Sequence, residues 1–246
     1  MRFLVTGGTG RLGSLVADRL RHGGHDVRIT SRRTGLGLYT VDWKTGAGLA
    51  EAVDGVDVVV HCAAANGDVE MERALVEACA GVSHLVYISI VGTDRIPIKY
   101  YRMKVAAEEL ISQSGIPYTI LRATQFHDLV RSVLAVLAKC PLLMPVPELR
   151  FQSVDVTEVA ERLAALAVAE PAGRVPELGG PEVVPLRELA LQYLASTGRH
   201  RRLVSFRLPG KAFGGFKAGH HLTPAHADGR ITFAEFLAAE ATALRR

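Results

Sequence analysis

Short apolar runs alternate with amphipathic stretches along the first half of the chain. Phe3-Leu4-Val5 is an apolar run that breaks into Thr6-Gly7-Gly8-Thr9-Gly10-Arg11-Leu12-Gly13. Beyond the break, Leu12, Leu15, Val16 and Leu20 recur at helical spacing, with Arg11, Asp18, Arg19 and Arg21 elsewhere, until Gly23-Gly24 ends the pattern. Further strands are predicted over 25–30, 38–41 (ending at Asp42), 56–62, 85–90 and 118–121, and helices over 70–80 and 101–114. This alternation implies a parallel sheet covered on both faces. The run 56–62, VDVVVHC, reads as a buried strand, with the small residues Ala63-Ala64-Ala65 at its carboxyl end. Past Arg122 the alternation loosens. Prolines at 141, 145, 147, 171, 176, 181 and 185 cut the chain into short elements, with helices predicted over 157–169, 186–196 and 233–244.

The glycine break carries the first chemical information. A strand that runs into closely spaced glycines and then opens a helix lets a pyrophosphate approach backbone N–H groups at the helix N-terminus. Gly7 suits the tight turn, Gly10 keeps a Cβ out of the path of the diphosphate, and Gly13 allows the helix to lie close to the strand. The spacing Gly-x-x-Gly-x-x-Gly departs from the plain Gly-x-Gly-x-x-Gly form. Strand, glycines and helix together nevertheless predict a dinucleotide site with Gly7, Thr9, Gly10, Arg11, Leu12 and Gly13 around the phosphates. The expected fold is α/β, a Rossmann-type doubly wound parallel sheet in a single domain spanning 1–246. Within it, 1–130 forms the dinucleotide-binding core, and 131–246 is a mixed region whose small C-terminal cap contributes to a substrate cleft.

The residues after the second strand bear on which dinucleotide is bound. Ser31-Arg32-Arg33 stands where NAD-binding proteins place an acidic residue on the ribose 2′-hydroxyl, and it contains no Asp or Glu. Two guanidinium groups beside a serine hydroxyl suit a 2′-phosphate instead, so NADP(H) is the expected cofactor. Asp42, Ala63 and Ala64, at the carboxyl ends of the third and fourth strands, complete the predicted cofactor contacts, the alanines letting adenosine approach the backbone.

Composition narrows the classes. With 246 residues and 48% hydrophobic content the chain can bury a full core. The net charge of +4 and pI near 9.1 raise nucleic acid as a partner. The basic residues are scattered among acids, though, and the tightest groups, Arg32-Arg33 and His200-Arg201-Arg202, form no stripe interleaved with aromatics, so none is expected. Cys62, Cys79 and Cys140 form no C-x-x-C pair, and no targeting segment is apparent, which reads as a reduced, cytoplasmic protein. No apolar run approaches the ~18 residues of a membrane span, and the expected partner is a small-molecule substrate.

TGGTGRLG, SRR after the second strand, HLVYISIVGTD on the fifth, YYRMKVAAEELISQSGIPYTILRATQFHD after it, and GGP at 179–181 carry a resemblance. The chain resembles the atypical short-chain dehydrogenase/reductases, most closely their NmrA-like, NAD(P)H-binding subgroup, over most of its length and most strongly over 1–130. The resemblance implies a Rossmann fold with bound NADP(H) and a pocket between the sheet's carboxyl edge and the C-terminal part. The subgroup includes quinone and carbonyl reductases, benzylic ether reductases, and members that bind the cofactor as a redox signal without catalysis. Two readings therefore stand: an NADPH-dependent oxidoreductase acting on a small, largely apolar carbonyl, enone or quinone-like substrate, or a non-catalytic NADP(H) sensor. Dehydratase, epimerase or isomerase chemistry on the same cofactor is a further alternative.

Tyr100 and Lys104 are the candidate catalytic pair. At i, i+4 both side chains share one helical face, so the ammonium is expected to depress the phenol's pKa and make it a proton donor or acceptor near neutral pH. The resemblance further implies that Lys104 hydrogen-bonds the nicotinamide ribose, and that a serine or threonine beyond the fifth strand holds the substrate oxygen. Ser89, eleven residues before Tyr100, is the candidate for that place, with Thr93 as the alternative if Ser89 faces the cofactor. After the sixth strand, backbone groups of Ala123 and Thr124 are expected at the carboxamide, and Gln125, Phe126 and His127 toward substrate. His127 also reads simply as the first polar residue of a helix.

Two other patterns lead elsewhere. Asp228-Gly229-Arg230-Ile231 with Glu235 matches the second half of a calcium loop, but Pro224 and His226 occupy the places of the opening carboxylates. Asp228-Gly229 reads as a turn, and Thr232 with Glu235 as a capping box for the last helix. His220-His221 with His226 has neither Cys nor an acidic ligand at metal spacing, so no metal is expected.

Overall fold

The computed structural model describes residues 1–43, 45–63, 69–140, 142–207 and 209–243. In chain order the elements are β1 (Arg2–Thr6), α1 (Arg11–His22), β2 (Asp26–Ser31), β3 (Leu38–Thr40), α2 (Leu49–Val53), β4 (Val58–His61), α3 (Val69–Ala78), β5 (His84–Ile90), α4 (Lys99–Gln113), β6 (Tyr118–Ala123), α5 (His127–Leu137), β7 (Leu143–Pro147), β8 (Arg150–Phe151), α6 (Val156–Val168), β9 (Gly173–Arg174), β10 (Val184–Pro185), α7 (Leu186–Ser196), β11 (Arg202–Phe206), α8 (Lys211–Lys217) and α9 (Phe233–Ala243). They fall into two compact units. The first comprises 1–89, 99–122 and 157–176, the second 90–98, 123–156 and the described residues from Glu177 onward. Among the described residues no helix is long and apolar enough to cross a membrane.

The first unit is built on a seven-stranded sheet of order β3-β2-β1-β4-β5-β6-β9. β1 pairs in parallel with β2 on one side and with β4 on the other, so the strand order reverses beside β1. This is the doubly wound Rossmann-type arrangement expected from the sequence, and it opens a crevice at the carboxyl ends of β1 and β4. Register then dictates what lines that edge. Leu4, Val59 and Leu85 stand in one row across β1, β4 and β5, and Leu75, Cys79, Ala107 and Ile111 belong to the same core. One step toward the carboxyl edge on the same face, the next row is Thr6, His61 and Tyr87. All three are fully buried. An apolar sheet thus ends in a buried polar row.

The second unit has its own core, in which Val130 and Leu134 of α5, Leu189, Tyr193 and Leu194 of α7, and Phe233 and Phe236 of α9 cluster with Met144 and Val146 of β7. β7 pairs in parallel with β11, although it contains Pro145 and Pro147. Reading prolines as breaks misses this strand. A two-stranded sheet consists only of edges, where the missing N–H of proline costs no ladder bond. The apolar residues of α5 form one continuous stripe at helical spacing, with Val130 and Leu134 buried and Leu129, Val133 and Val136 exposed, and the sequence reading missed it. α7 coincides with its predicted span. α9 opens with the predicted capping box: Thr232 N–H donates to Glu235 Oε2 at 2.8 Å and Glu235 N–H to Thr232 Oγ1 at 3.2 Å.

His221 gives this unit a definite acid sensitivity. It is fully buried, contacts Arg150 O through Nε2 at 2.7 Å, and lies edge-on to Phe151 and Phe216. Burial holds its pKa down at about 4, against 6.5 for an ordinary histidine. Between those values the unfolded chain binds more protons than the folded one, so stability rises with pH across that window and is lost on acidification. The loss attributable to His221 is about 3 kcal/mol. His221→Gln, which keeps a donor for the Arg150 carbonyl but does not titrate, is expected to flatten that part of the profile in urea unfolding between about pH 7 and about pH 4; an identical slope in both proteins would rule the assignment out.

Candidate functional site

At the end of β1 the chain turns through Gly7, whose φ of 64° lies in the left-handed region, and the Gly10 N–H closes the turn on Gly7 O at 2.8 Å. α1 follows with Gly10 as its N-cap and no side-chain cap. A Cβ on Gly13 would stand 2.3 Å from the Gly7 carbonyl oxygen, so the absence of a side chain there is what lets α1 begin directly against the turn. The first turn of a helix presents N–H groups that the helix itself does not pair. The protein's own packing places little demand on Gly10, which is exposed and whose added Cβ would meet only Gly7 O at 3.1 Å. The cradle therefore fits a diphosphate, with open access at Gly10 and close packing at Gly13. Thr9 and Arg11 are exposed beside it, and Leu12 faces the interior. Gly8, which carried no role in the sequence reading, is required for packing: a Cβ there would stand 2.0 Å from Ile29 Cγ2 of β2.

Other predicted cofactor residues surround this turn. The Ala63 N–H donates to Thr6 Oγ1 at 3.3 Å, and a Cβ on Gly7 would stand 2.9 Å from Ala63 Cα, so a small residue at 63 sits directly against the turn. Ala64 lies outside the described residues. Ser31 ends β2, buried, with its hydroxyl accepting the Arg33 N–H at 3.0 Å. Arg32 and Arg33 are exposed and have no ion-pair partner among the described residues. Asp42 is exposed in the turn after β3, where its carboxylate accepts from Thr45 Oγ1 at 3.0 Å.

The polar row at the sheet edge is a connected network. Thr6 Oγ1 and His61 Nδ1 are 2.6 Å apart, and His61 Nε2 is 3.0 Å from Glu72 Oε2 of α3. The Tyr87 ring stacks on His61 at 5.5 Å between centroids and 9° between planes. Lys104, buried in α4, donates from Nζ to Tyr87 Oη and to Ile88 O, each at 3.1 Å. Burial pushes the Lys104 pKa down, against the pull of Glu72, Cys62 and Glu108. Burial likewise pushes Glu72 up, but His61 and Lys104 more than offset this, so its carboxyl titrates below the ordinary value. His61, Glu72 and Tyr87 were missed as site residues. Each is a polar group within a helix or an apolar strand run, and only the register brings them together.

Tyr100 stands in the first turn of α4, 38% exposed. Its phenol is pushed up by burial and then by Glu72. The expectation that Lys104 depresses it is thereby reversed, and the hydrogen bonds explain why. The ammonium is directed to Tyr87 and Ile88, and the charge felt at Tyr100 is the Glu72 carboxylate. Ser89 is buried in β5 and donates to Glu108 Oε1, the same carboxylate that Arg122 grips at 2.9 and 2.7 Å. Its hydroxyl proton is committed to that ion pair.

The remaining predicted residues belong to the second unit. Thr93 is buried, and its hydroxyl has no hydrogen-bond partner among the described residues. Ala123 O accepts from the Val91 N–H at 3.0 Å and the Thr124 N–H donates to Leu178 O at 2.9 Å, so two of the backbone groups expected at a carboxamide are engaged. The Thr124 hydroxyl has no partner among the described residues. Gln125 is buried, its carbonyl accepting from Val154, and Phe126 is the N-cap of α5. His127 is fully buried inside this unit: Nδ1 lies 2.8 Å from Ser153 Oγ and Nε2 2.9 Å from Ile231 O, beside Phe233 and Phe236. It opens α5 as a structural histidine, with both ring nitrogens occupied.

Comparison with known proteins adds independent findings. Residues 7–166 match a family model described as NAD(P)H-binding. The chain is 32% identical over 220 residues, 81% of its length and 75% of the relative's, to the (4-alkanoyl-5-oxo-2,5-dihydrofuran-3-yl)methyl phosphate reductase of Streptomyces griseus. It is 26% identical over 274 residues to the photosystem II assembly factor Ycf39 of Trieres chinensis, covering 98% of this chain and 83% of that protein. Its fold matches the structure of the NADPH-dependent quinone oxidoreductase of Escherichia coli complexed with NADPH, with a TM-score of 0.79 and 19% identity over 97% of this chain and 99% of that one.

The cradle is tested at Gly13. Gly13→Ala forces a methyl group onto backbone rather than onto a movable side chain, with an expected cost of about 1–3 kcal/mol in stability and loss of dinucleotide affinity. Trp43 is the chain's one tryptophan and lies edge-on to His61 at 6.0 Å, so its emission reports binding at this end of the sheet. Unchanged melting together with unchanged quenching by NADPH would contradict the packing argument.

Proposed function

This chain belongs to the NAD(P)H-binding family, and from that premise we propose that it is an NADPH-dependent oxidoreductase reducing a small, largely apolar carbonyl, enone or quinone-like substrate. The observation that carries the proposal is the pairing of an α1 cradle shaped for a diphosphate with a phenol, Tyr100, kept protonated in the turn of α4 before a buried lysine. When bound, the reduced nicotinamide supplies a hydride. Tyr100 supplies the matching proton to the oxygen on which charge develops, and recovers it from water. Burial and Glu72 raise its pKa, so it is a proton donor throughout the neutral range and a poor base. Lys104, held by Tyr87 and Ile88, has one ammonium proton left for the ribose hydroxyls. Ser89, whose proton is committed to the Glu108–Arg122 pair, is a poor candidate for holding the substrate oxygen.

Arg32 and Arg33 support NADPH over NADH. They follow β2 as exposed guanidinium groups without a carboxylate partner among the described residues, in a turn fixed by the Ser31 hydroxyl. A 2′-phosphate is the anion such a pair grips. Replacing both by glutamine is expected to weaken NADPH by about 100-fold or more and NADH hardly at all, since charge-assisted bonds contribute about 1.5–3 kcal/mol each. Equal losses for both cofactors in fluorescence titrations would assign the pair to solvent.

The reaction itself is tested by NADPH consumption against a panel of quinones, aldehydes and cyclic enones. Turnover is expected for at least one class, with Tyr100→Phe lowering kcat about 10²–10⁴-fold at unchanged cofactor affinity. Because the Tyr100 pKa is raised, loss of its proton should not limit the wild-type rate until pH passes the ordinary tyrosine value of about 10, so an alkaline fall below that value reports Lys104, whose pKa burial lowers. Tight NADPH binding without oxidation by any compound would favour the sensor reading instead.

A further inference from the structure

Lys104 is a buried cation, and a cation at that depth needs a compensating charge. The ionisable groups that act on it are Glu72 of α3, Cys62 after β4 and Glu108 of α4, with the Tyr87 phenol in direct contact. Glu108 is already neutralised, because Arg122 of β6 grips both its oxygens and Ser89 donates to one of them. Cys62 is uncharged at neutral pH, its thiol pushed up to about 12 by burial. The Tyr87 phenol is held far above its ordinary value by burial and by Glu72, so it too stays neutral. Glu72 is what remains.

Its placement matches that role. Glu72 is 3% exposed, and a carboxylate so deeply buried is held by a specific partner or is not held at all. His61 is that partner at 3.0 Å, itself fixed through Nδ1 by Thr6 at 2.6 Å. His61 carries Tyr87 on its face, and Tyr87 receives Lys104 through its hydroxyl, with the ammonium 4.5 Å from its ring centroid. A continuous run of close contacts, ending in the Lys104–Tyr87 hydrogen bond, thus joins Glu72 to the lysine. We propose that Glu72, aimed by His61, is the counter-ion of Lys104 and a positioning residue for the reduction. Its charge also faces Tyr100, so one carboxylate favours the charged lysine and the neutral phenol together. The kinetic half of this inference rests on the reductase reading, whereas the counter-ion half does not.

The test uses the full chain without cofactor and then with it. Lysine labelled with ¹⁵N at Nζ is followed by NMR as pH is raised, with the Lys104 signal identified by its loss in Lys104→Arg. Glu72→Gln, which keeps the shape and removes the charge, is expected to lower the Lys104 titration midpoint by about one pH unit or more. Glu72→Asp is expected to restore most of it. In quinone reduction, Glu72→Gln should move the alkaline limb of kcat in the same direction while KM stays within about twofold. Identical Lys104 midpoints in wild type and Glu72→Gln overturn the proposal, whatever the turnover. A wild type that binds NADPH but reduces nothing defeats the reductase reading alone, and the NMR titration still decides the counter-ion. Should Glu72→Gln fail to fold, His61→Gln leaves the carboxylate and removes the ring that aims it; a smaller downward shift then supports the proposal and no shift overturns it.

Discussion

The approach of α1 to the end of β1 sets the terms for the first unit. With Gly13 packed on the Gly7 carbonyl and Gly8 packed on Ile29, the helix starts as close to the sheet as backbone allows. That distance aims the N–H groups of the first turn at the switch point between β2 and β4, where an anion is stabilised by the partial positive charge of the helix terminus. Ala63, tucked against Gly7, shows the same constraint from the next strand. A side chain at Gly7, Gly8 or Gly13 would pry apart elements whose register places the other side chains at the sheet edge.

The register does the second part of the work. Along β1, β4 and β5 the inward face passes from Leu4, Val59 and Leu85 to Thr6, His61 and Tyr87 within two residues. Each large aliphatic side chain buried in the first row is worth about 1.5–3 kcal/mol, whereas unpaired polar groups in the second would cost a comparable amount apiece. The second row is tolerated because Thr6 pairs with His61 Nδ1 and Tyr87 receives Lys104, and because Glu72, 3.0 Å from His61 Nε2, and Lys104 bring opposite charges to it. A separate balance, Glu108 with Arg122 and Ser89, lies along β5, α4 and β6. Two compensated pairs, rather than one shared cluster, are what make the chemistry at this edge separable into parts.

What was legible in the sequence follows from range. The turn at Gly7 to Gly13, α1 and the Thr232 capping box are set by residues a few positions apart, and their chemistry reads directly from the chain. Strands 2 to 6 were legible as apolar runs, with ends shifted by one or two residues. His61, Glu72 and Tyr87 were not, because HC after three valines, a glutamate in a helix and a tyrosine in LVYISI each look ordinary until β4 and β5 are in register. The polarity of the Tyr100–Lys104 pair was misjudged for the same reason: spacing shows that two side chains share a face, and only the fold shows that the ammonium is spent on Tyr87 and Ile88. β7 was hidden by its prolines, whereas the stripe of α5 was legible at helical spacing and was overlooked.

The electrostatics also bear on the direction of the chemistry. A dinucleotide site with a tyrosine and a lysine serves reduction and also those isomerisations that begin by oxidising the substrate. The second kind needs the phenol to accept a proton first, which requires a pKa drawn down toward neutrality. Here the charge that acts on Tyr100 is the Glu72 carboxylate, and the Lys104 ammonium four residues on donates to Tyr87 and Ile88 instead. Both effects raise the cost of the phenolate: they leave Tyr100 protonated, without the base that an opening oxidation needs, and they also make its proton harder to give up, so donation waits until charge has formed on the accepting oxygen.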